Sequence, residues 1–286
     1  MYSSTGPVAA LAREEEGRIM TTSRETDFSV EALPDGAVFR LTRPGKLNAI
    51  TRPVLLGLAR CIDDLEARGM RLLAITGEGD RAFCAGTDLA ETREMPGPER
   101  LDKSEMARRL FARLSRSRLV SVAALNGLAF GGGLELAMAC TFRVAAPHVA
   151  VSLPEIKLGL LPAYGGTQFL SALVGSARAL DLMLTGRRVP AEEALAMGLL
   201  SRVVAAGEDP LARALELARE VTRFSEPAIA GIRRCVAAAG AQVTDEGLAL
   251  EDAVVREVFV TDDAREGVAA FLEKRAPVFN ANTGPK

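Results

Sequence analysis

The chain has 286 residues, 48% of them hydrophobic and 25% charged, with a formal net charge of −2. This is an ordinary globular composition, long enough to bury a large core, and its balanced charge gives no general drive towards nucleic acid or an anionic membrane. His148 is the only histidine, which excludes a zinc site built on several histidines and leaves a serine-histidine triad only one possible member.

Residues 1–26 are polar and unpatterned and read as a disordered N-terminal extension. They lack the positive region that precedes the apolar stretch of a secretory signal, and Met20 is a second candidate start. No apolar run reaches the roughly 18 residues needed to span a bilayer. From Phe28 the pattern is a hairpin, F-S-V-E-A-L and A-V-F-R-L around Pro34-Asp35-Gly36. A helix follows from Thr51, with Pro53 in its first turn and Val54, Leu55, Leu58, Ile62 and Leu65 at helical spacing. Residues 71–76 and 119–125 are apolar enough to be strands buried on both faces. Between them, residues 99–117 read as a basic amphipathic helix with Leu101, Met106, Leu110, Phe111 and Leu114 inward. R-V-A-A and V-A-V-S are short strands, and His148, just after Pro147, sits at a strand end or surface. After Val204 four helical segments, at about 210–223, 226–239, 245–259 and 262–275, fill the chain. Their apolar faces, Val254, Val255, Val258 and Phe259 among them, imply packing on the core or a subunit interface. The reading is an α/β core over 27–208 followed by a helical segment over 209–286. Cys61, Cys84, Cys140 and Cys235 have no C-x-x-C spacing and read as reduced thiols of a cytoplasmic protein.

The chemistry concentrates in 121–166. Gly131, Gly132 and Gly133 end an apolar run and open a helix, where bare backbone N–H groups suit a developing negative charge. Glu135 follows within a turn, flanked by Leu134, Leu136, Ala137 and Met138, and Glu155 lies twenty residues later behind Pro154. A carboxylate in apolar surroundings costs several kcal/mol unless partnered, roughly, so both are acid/base candidates. Each also has a plain structural reading: a first-turn glutamate favoured by the helix dipole for Glu135, and a helix-start or loop carboxylate paired with Lys157 or an arginine for Glu155. The loop Arg81 to Leu89 follows a strand, where α/β proteins place ligands, although a tight turn explains it equally.

Five ordered segments carry a resemblance to a known family: R-P-G-K-L-N-A-I (43–50), A-F-C-A-G-T-D-L (82–89), N-G-L-A-F-G-G-G-L-E-L-A-M-A-C (126–140), P-E-I-K-L-G-L-L-P-A-Y-G-G-T-Q (154–168) and L-T-G-R-R-V-P-A-E-E-A-L-A-M-G-L-L-S-R-V-V (184–204). Together they resemble the enoyl-CoA hydratase/isomerase (crotonase) family over roughly residues 28–280. The resemblance implies a crotonase-like spiral of ββα turns with a C-terminal helical trimerisation segment, assembled as a homotrimer or a dimer of trimers. It implies an acyl-CoA thioester substrate, with coenzyme A part of that substrate and no metal or redox cofactor. It implies an oxyanion hole from the backbone amides of Thr87 and Gly132, with Glu135 and Glu155 catalytic. The helix N-terminus is expected to keep Glu135 ionised as the base that orients water, with Glu155 as proton donor.

Carried over by motif, Lys46, Leu47, Ala85, Gly86, Asp88, Leu89, Gly131, Tyr164 and Lys274 are expected at the substrate. The chain departs from the family in four places. Thr87 stands where alanine is common, and its side chain is expected to narrow the acyl pocket. Ala90 stands where a lysine often meets phosphate, with Arg93 as a substitute, and Tyr164 and Phe169 replace a small residue and an arginine. The implied reaction is reversible syn addition of water to a 2-enoyl-CoA. Alternatives are Δ3-Δ2 enoyl-CoA isomerisation, other acyl-CoA enolate chemistry, or a non-catalytic oligomeric protein binding acyl-CoA or RNA.

Overall fold

In a computed structural model, residues 23–239 and 244–280 are described. Met20 and most of the expected extension lie outside them. Within it, Ser23–Arg24 forms a short strand (β1) paired antiparallel with Phe28–Leu33 (β2). An edge strand is held by backbone hydrogen bonds and needs no apolar pattern, which is why composition alone set the ordered boundary too late.

Gly36–Leu41 (β3) completes the hairpin, and Thr51 caps Arg52–Ala67 (α1), accepting from the Val54 amide. Val54, Leu55, Leu58, Ile62 and Leu65 are all buried, as their spacing requires. The chain then repeats one plan. A strand enters a large sheet, a second enters a small sheet, and a helix returns. The first turn is Leu72–Gly77 (β4), Ala82–Cys84 (β5), Leu89–Glu94 (α2) and Gly97–Arg116 (α3). The next is Val120–Leu125 (β6), Leu128–Phe130 (β7) and Gly132–Ala139 (α4). The third is Phe142–Ala145 (β8), Ala150–Ser152 (β9), Gly166–Val174 (α5) and Ser176–Thr185 (α6). Val189–Pro190 (β10), Ala191–Ala196 (α7) and Arg202–Val203 (β11) close the spiral. The large sheet has the order β1-β2-β3-β4-β6-β8-β11 and the small one β10-β9-β7-β5. From β3 onward the strands of the large sheet run parallel.

The tail is Pro210–Thr222 (α8), Glu226–Ala238 (α9), Asp245–Phe259 (α10) and Asp262–Leu272 (α11). Alternation along β4 sends Leu73 and Ile75 to the main core and Leu72 and Ala74 to the opposite face. There Ala214, Leu217 and Ala218 of α8 cover them together with Val38, Val120, Val122 and Val144. The boundary expected at 208 therefore moves past α8, which seals the second face of a sheet buried on both sides. The helices α9 to α11 are different: Ile232, Val236, Phe259, Phe271 and Leu272 are all exposed. Among the described residues no helix is long and apolar enough to cross a membrane.

Candidate active site

Gly131 turns the chain from β7 into α4. Its φ of +51° is a left-handed value that favours glycine, and a Cβ there would lie 2.9 Å from Glu155 Oε1. Its amide donates to the Ser152 carbonyl at 2.9 Å, and its own carbonyl accepts from the Glu135 amide at 3.0 Å. Every residue of α4 is buried, so Glu135, at 1% exposure, has no route to solvent along its helix. Its Oε1 accepts from two amides just ahead of and within α5, Tyr164 at 2.8 Å and Gly166 at 2.7 Å. Burial pushes the Glu135 carboxyl up to about 7; the Gly166 amide opposes this, the Glu155 charge adds to it, and the Tyr164 amide opposes it. The helix terminus, expected to favour the ionised form of Glu135, is opposed by burial and by the charge of a second carboxylate, which raise its proton affinity.

Glu155 opens the short 3-10 helix Glu155–Leu158. Its Oε2 is buried and has no hydrogen-bond partner among the described residues. Burial raises its proton affinity. The pairing with Lys157 does not form, because Lys157 Nζ donates to the Gly186 carbonyl at 2.6 Å. A buried, unpartnered acceptor is costly. The Glu155 carboxyl lies at the Gly131 turn, near enough to Glu135 for its charge to raise the proton affinity of that group.

Two amides lie beside the same turn. Ile50 donates to the Gly86 carbonyl at 2.7 Å and accepts from the Asp88 amide at 3.0 Å, so the pairing brackets Thr87 and leaves its N–H unused. Gly132 is the first residue of α4, where an N–H has no intrahelical partner. A Cβ placed on Gly132 would lie 3.6 Å from the Thr87 nitrogen. Gly86, at φ +107°, permits this approach, since a Cβ there would stand 3.3 Å from the Gly132 nitrogen. Two free N–H groups this close, one at a helix N-terminus, form a ready oxyanion site.

The Thr87 side chain does not stand alone as a pocket-narrowing methyl and hydroxyl. It accepts from Tyr164 Oη at 2.9 Å and from Lys103 Nζ at 3.0 Å. Lys103, 1% exposed on α3, also donates to the Ile50 carbonyl at 3.1 Å and to Glu91 Oε2 at 2.5 Å. Sequence reasoning missed it. Leu101, expected inward, is 72% exposed, and Lys103 takes the stripe with Ala107, Leu110, Phe111 and Leu114. The signal was present as spacing, since 103, 107, 110, 111 and 114 share one helix face, but the charge hid it.

The other expected residues divide. Leu47 and Asn48 adopt left-handed φ values of 50° and 56°, and the Ala85 amide donates to the Leu47 carbonyl at 2.9 Å. This sets Lys46 and Leu47 beside Ala85 and Gly86. Asp88 caps α2, accepting from the Ala90 and Glu91 amides, and pairs with Arg43 at 2.8 Å. Its carboxylate is therefore occupied, and the loop offers backbone. Leu89, Ala90 and Arg93 are exposed. Lys274 is not brought to this site: it follows α11, which packs on α10. A residue contributed after three tail helices can reach its own core only if the tail folds onto it. His148 is exposed, with Nε2 3.2 Å from the Asp80 and Asn126 carbonyls. Phe169 packs on the core. Among the described residues no three His, Cys, Asp or Glu side chains are grouped to hold a metal ion.

Comparison with known proteins identifies the family. The profile of the enoyl-CoA hydratase/isomerase family matches residues 36–282. An enoyl-CoA isomerase/hydratase of Zymoseptoria tritici is 36% identical over 96% of this chain and 93% of its own. A crotonyl-CoA hydratase of Syntrophomonas wolfei is 34% identical over 85% and 94%. The crystal structure of an enoyl-CoA hydratase from Bacillus anthracis superposes with a TM-score of 0.82 at 33% identity, covering 89% of this chain and 99% of that one. The fold is the crotonase fold, and the chain belongs to the enoyl-CoA hydratase/isomerase family.

Proposed function

We propose that this enzyme adds water reversibly across the double bond of a 2-enoyl-CoA thioester. The observation that carries the reading is the pair of carboxyl groups, Glu135 buried and Glu155 half-buried, both with raised proton affinity, beside two unused amides. The Thr87 and Gly132 amides hold the thioester oxygen and stabilise the enolate; one such donor is worth about 10²–10³ in rate. Glu135, held by two amide donors, takes a proton from water as its oxygen bonds to C3. The enolate then collapses, and Glu155 delivers a proton to C2. One carboxyl ends a proton richer and the other a proton poorer, and they re-equilibrate through water. No electron is gained or lost, so the step as written calls for no redox cofactor or metal, and coenzyme A enters only as part of the substrate. The Lys46–Leu47 and Ala85–Gly86 backbones suit the thioester arm. Relatives named as hydratases support the same chemistry.

The test is the loss of enoyl-thioester absorbance with crotonyl-, octenoyl- and cyclohexenoyl-CoA. Turnover that disappears in Glu135→Gln/Glu155→Gln supports the roles, and turnover that persists refutes them. Conversion of 3-enoyl-CoA to 2-enoyl-CoA without hydration would make the enzyme an isomerase. Tight acyl-CoA binding with no turnover would make it a binding protein. We further propose assembly as a trimer or dimer of trimers through α9 to α11, whose Phe259, Phe271 and Leu272 are 73%, 82% and 73% exposed. A monomer in light scattering would refute that.

A further inference from the structure

One residue touches Glu135 and both residues of the oxyanion site. The Tyr164 amide holds Glu135, its ring lies against Gly132, and its hydroxyl donates to Thr87. A Cβ on Gly132 would stand only 2.9 Å from ring atoms Cδ2 and Cε2. The ring's other contact is Phe111 of α3, edge to face, with centroids 5.9 Å apart and planes at 82°. The space between the oxyanion amides and α3 is therefore filled by an aromatic ring that is itself 5% exposed.

The ring is also tethered. The hydroxyl ends on Thr87 Oγ1, which Lys103 holds from the other side, and Lys103 is anchored by Glu91 and the Ile50 carbonyl. All three Lys103 protons have acceptors, so this wall has no free charge to offer a ligand. Rotating Tyr164 away would break its bond to Thr87 and its packing on Phe111 together. A phenylalanine would keep the wall but lose the tether, whereas a small residue would open it.

Resting on the acyl-CoA reading above, we propose that Tyr164, tethered through Thr87 and Lys103 to Glu91, is the floor of the acyl pocket and restricts the enzyme to short-chain 2-enoyl thioesters. An acyl group with its oxygen in the hole and C2–C3 at the carboxyl pair meets the ring a few carbons further on. A longer chain would have to displace the ring from its packing between Gly132 and Phe111.

Two measurements test this, one of them independent of turnover. In calorimetry, butyryl-CoA and octanoyl-CoA, which cannot be hydrated, report pocket depth directly. The wild type is expected to bind butyryl-CoA at least tenfold more tightly than octanoyl-CoA, and Tyr164→Ala to narrow or invert that ratio by tenfold or more. In kinetics, the ratio of kcat/KM for octenoyl-CoA to that for crotonyl-CoA is expected to rise at least tenfold in Tyr164→Ala and to change less in Tyr164→Phe. If Tyr164→Ala fails to fold by circular dichroism, Tyr164→Leu takes its place. Equal wild-type affinity for the two saturated thioesters, or a ratio unchanged by removing the ring, overturns the proposal. An enzyme that discriminates in calorimetry yet hydrates no enoyl-CoA would instead overturn the hydratase reading and leave the pocket floor standing.

Discussion

Glu91 and Glu135 are both linked to Tyr164, and their surroundings differ in one respect. Glu91 reaches the ring through Lys103 and Thr87, and its charge is met by a buried ammonium. Glu135 is more deeply buried, yet its oxygen is met only by the amides of Tyr164 and Gly166, and the nearest charge of consequence is another carboxylate. The lysine ties the Glu91 carboxylate into a brace that also holds Thr87 and Ile50. Amide partners support the anion without fixing it, and burial raises the proton affinity to where it can change near neutral pH. On the proposed mechanism, one fold thus separates a carboxylate that braces from a carboxylate that exchanges protons.

The comparison is broken most directly at the carboxyl pair. Glu135→Gln or Glu155→Gln should each lower kcat by about 10³-fold while the far-ultraviolet circular dichroism stays unchanged. A loss below tenfold in either would move that residue into the bracing class with Glu91. The converse experiment is Lys103→Met, which strands Glu91 and removes a buried donor from Thr87 and Ile50. It should lower stability by about 3 kcal/mol, read as a fall in denaturant midpoint at constant slope. A shift under about 0.5 kcal/mol would mean that the lysine braces nothing.

A third prediction uses pH. Burial pushes the Glu135 carboxyl up to about 7 in the folded protein, from its usual 4.5. The unfolded chain therefore loses this proton first. The protonated form's contribution to stability is complete below pH 4.5 and is lost as pH rises to 7. Glu135→Gln keeps Oε1 as an acceptor and never ionises. It should be more stable than the wild type by about 2 kcal/mol at alkaline pH, with the gap closing in acid. Parallel stability curves would show that burial does not control this group. In kinetics, kcat/KM should rise with pH through about 7 as the base ionises and fall again where Glu155, the proton donor, is ionised too. The smallest effect is Tyr164→Phe, which removes one hydrogen bond to a hydroxyl that Lys103 still holds and should cost about 1 kcal/mol.

Much of this could be read in the sequence where local rules act alone. The stripe Val54–Leu65, the two apolar strands β4 and β6, and the glycine run ahead of Glu135 each carry a periodicity or composition that one element explains. What failed were statements needing a second element. Ser23–Arg24 is a strand because β2 offers an edge, not because of its own residues. The helix α8 was legible, but the surface it covers depends on which side chains β4 and β6 turn away from the main core. Lys103 sits on a correct apolar stripe and is stable there only because Glu91, Thr87 and Ile50 converge on it from distant segments. The proton affinity of Glu135 was misjudged for the same reason: a helix dipole is visible in sequence, while the depth of burial and the approach of Glu155 are not.

The clamp on Glu135 has a stereochemical consequence. Both amides bind the same oxygen, so the carboxyl group cannot turn over without surrendering two hydrogen bonds at once. Its two oxygens are therefore distinguishable, one an anchor and the other free of the clamp. With Glu155 packed against the Gly131 turn that opens the same helix, the proposed hydration would offer one face of the double bond to both carboxyls. The new C–O bond would then form in one sense only, and the hydroxyl-bearing carbon of the product would carry a single configuration, set by two peptide N–H groups.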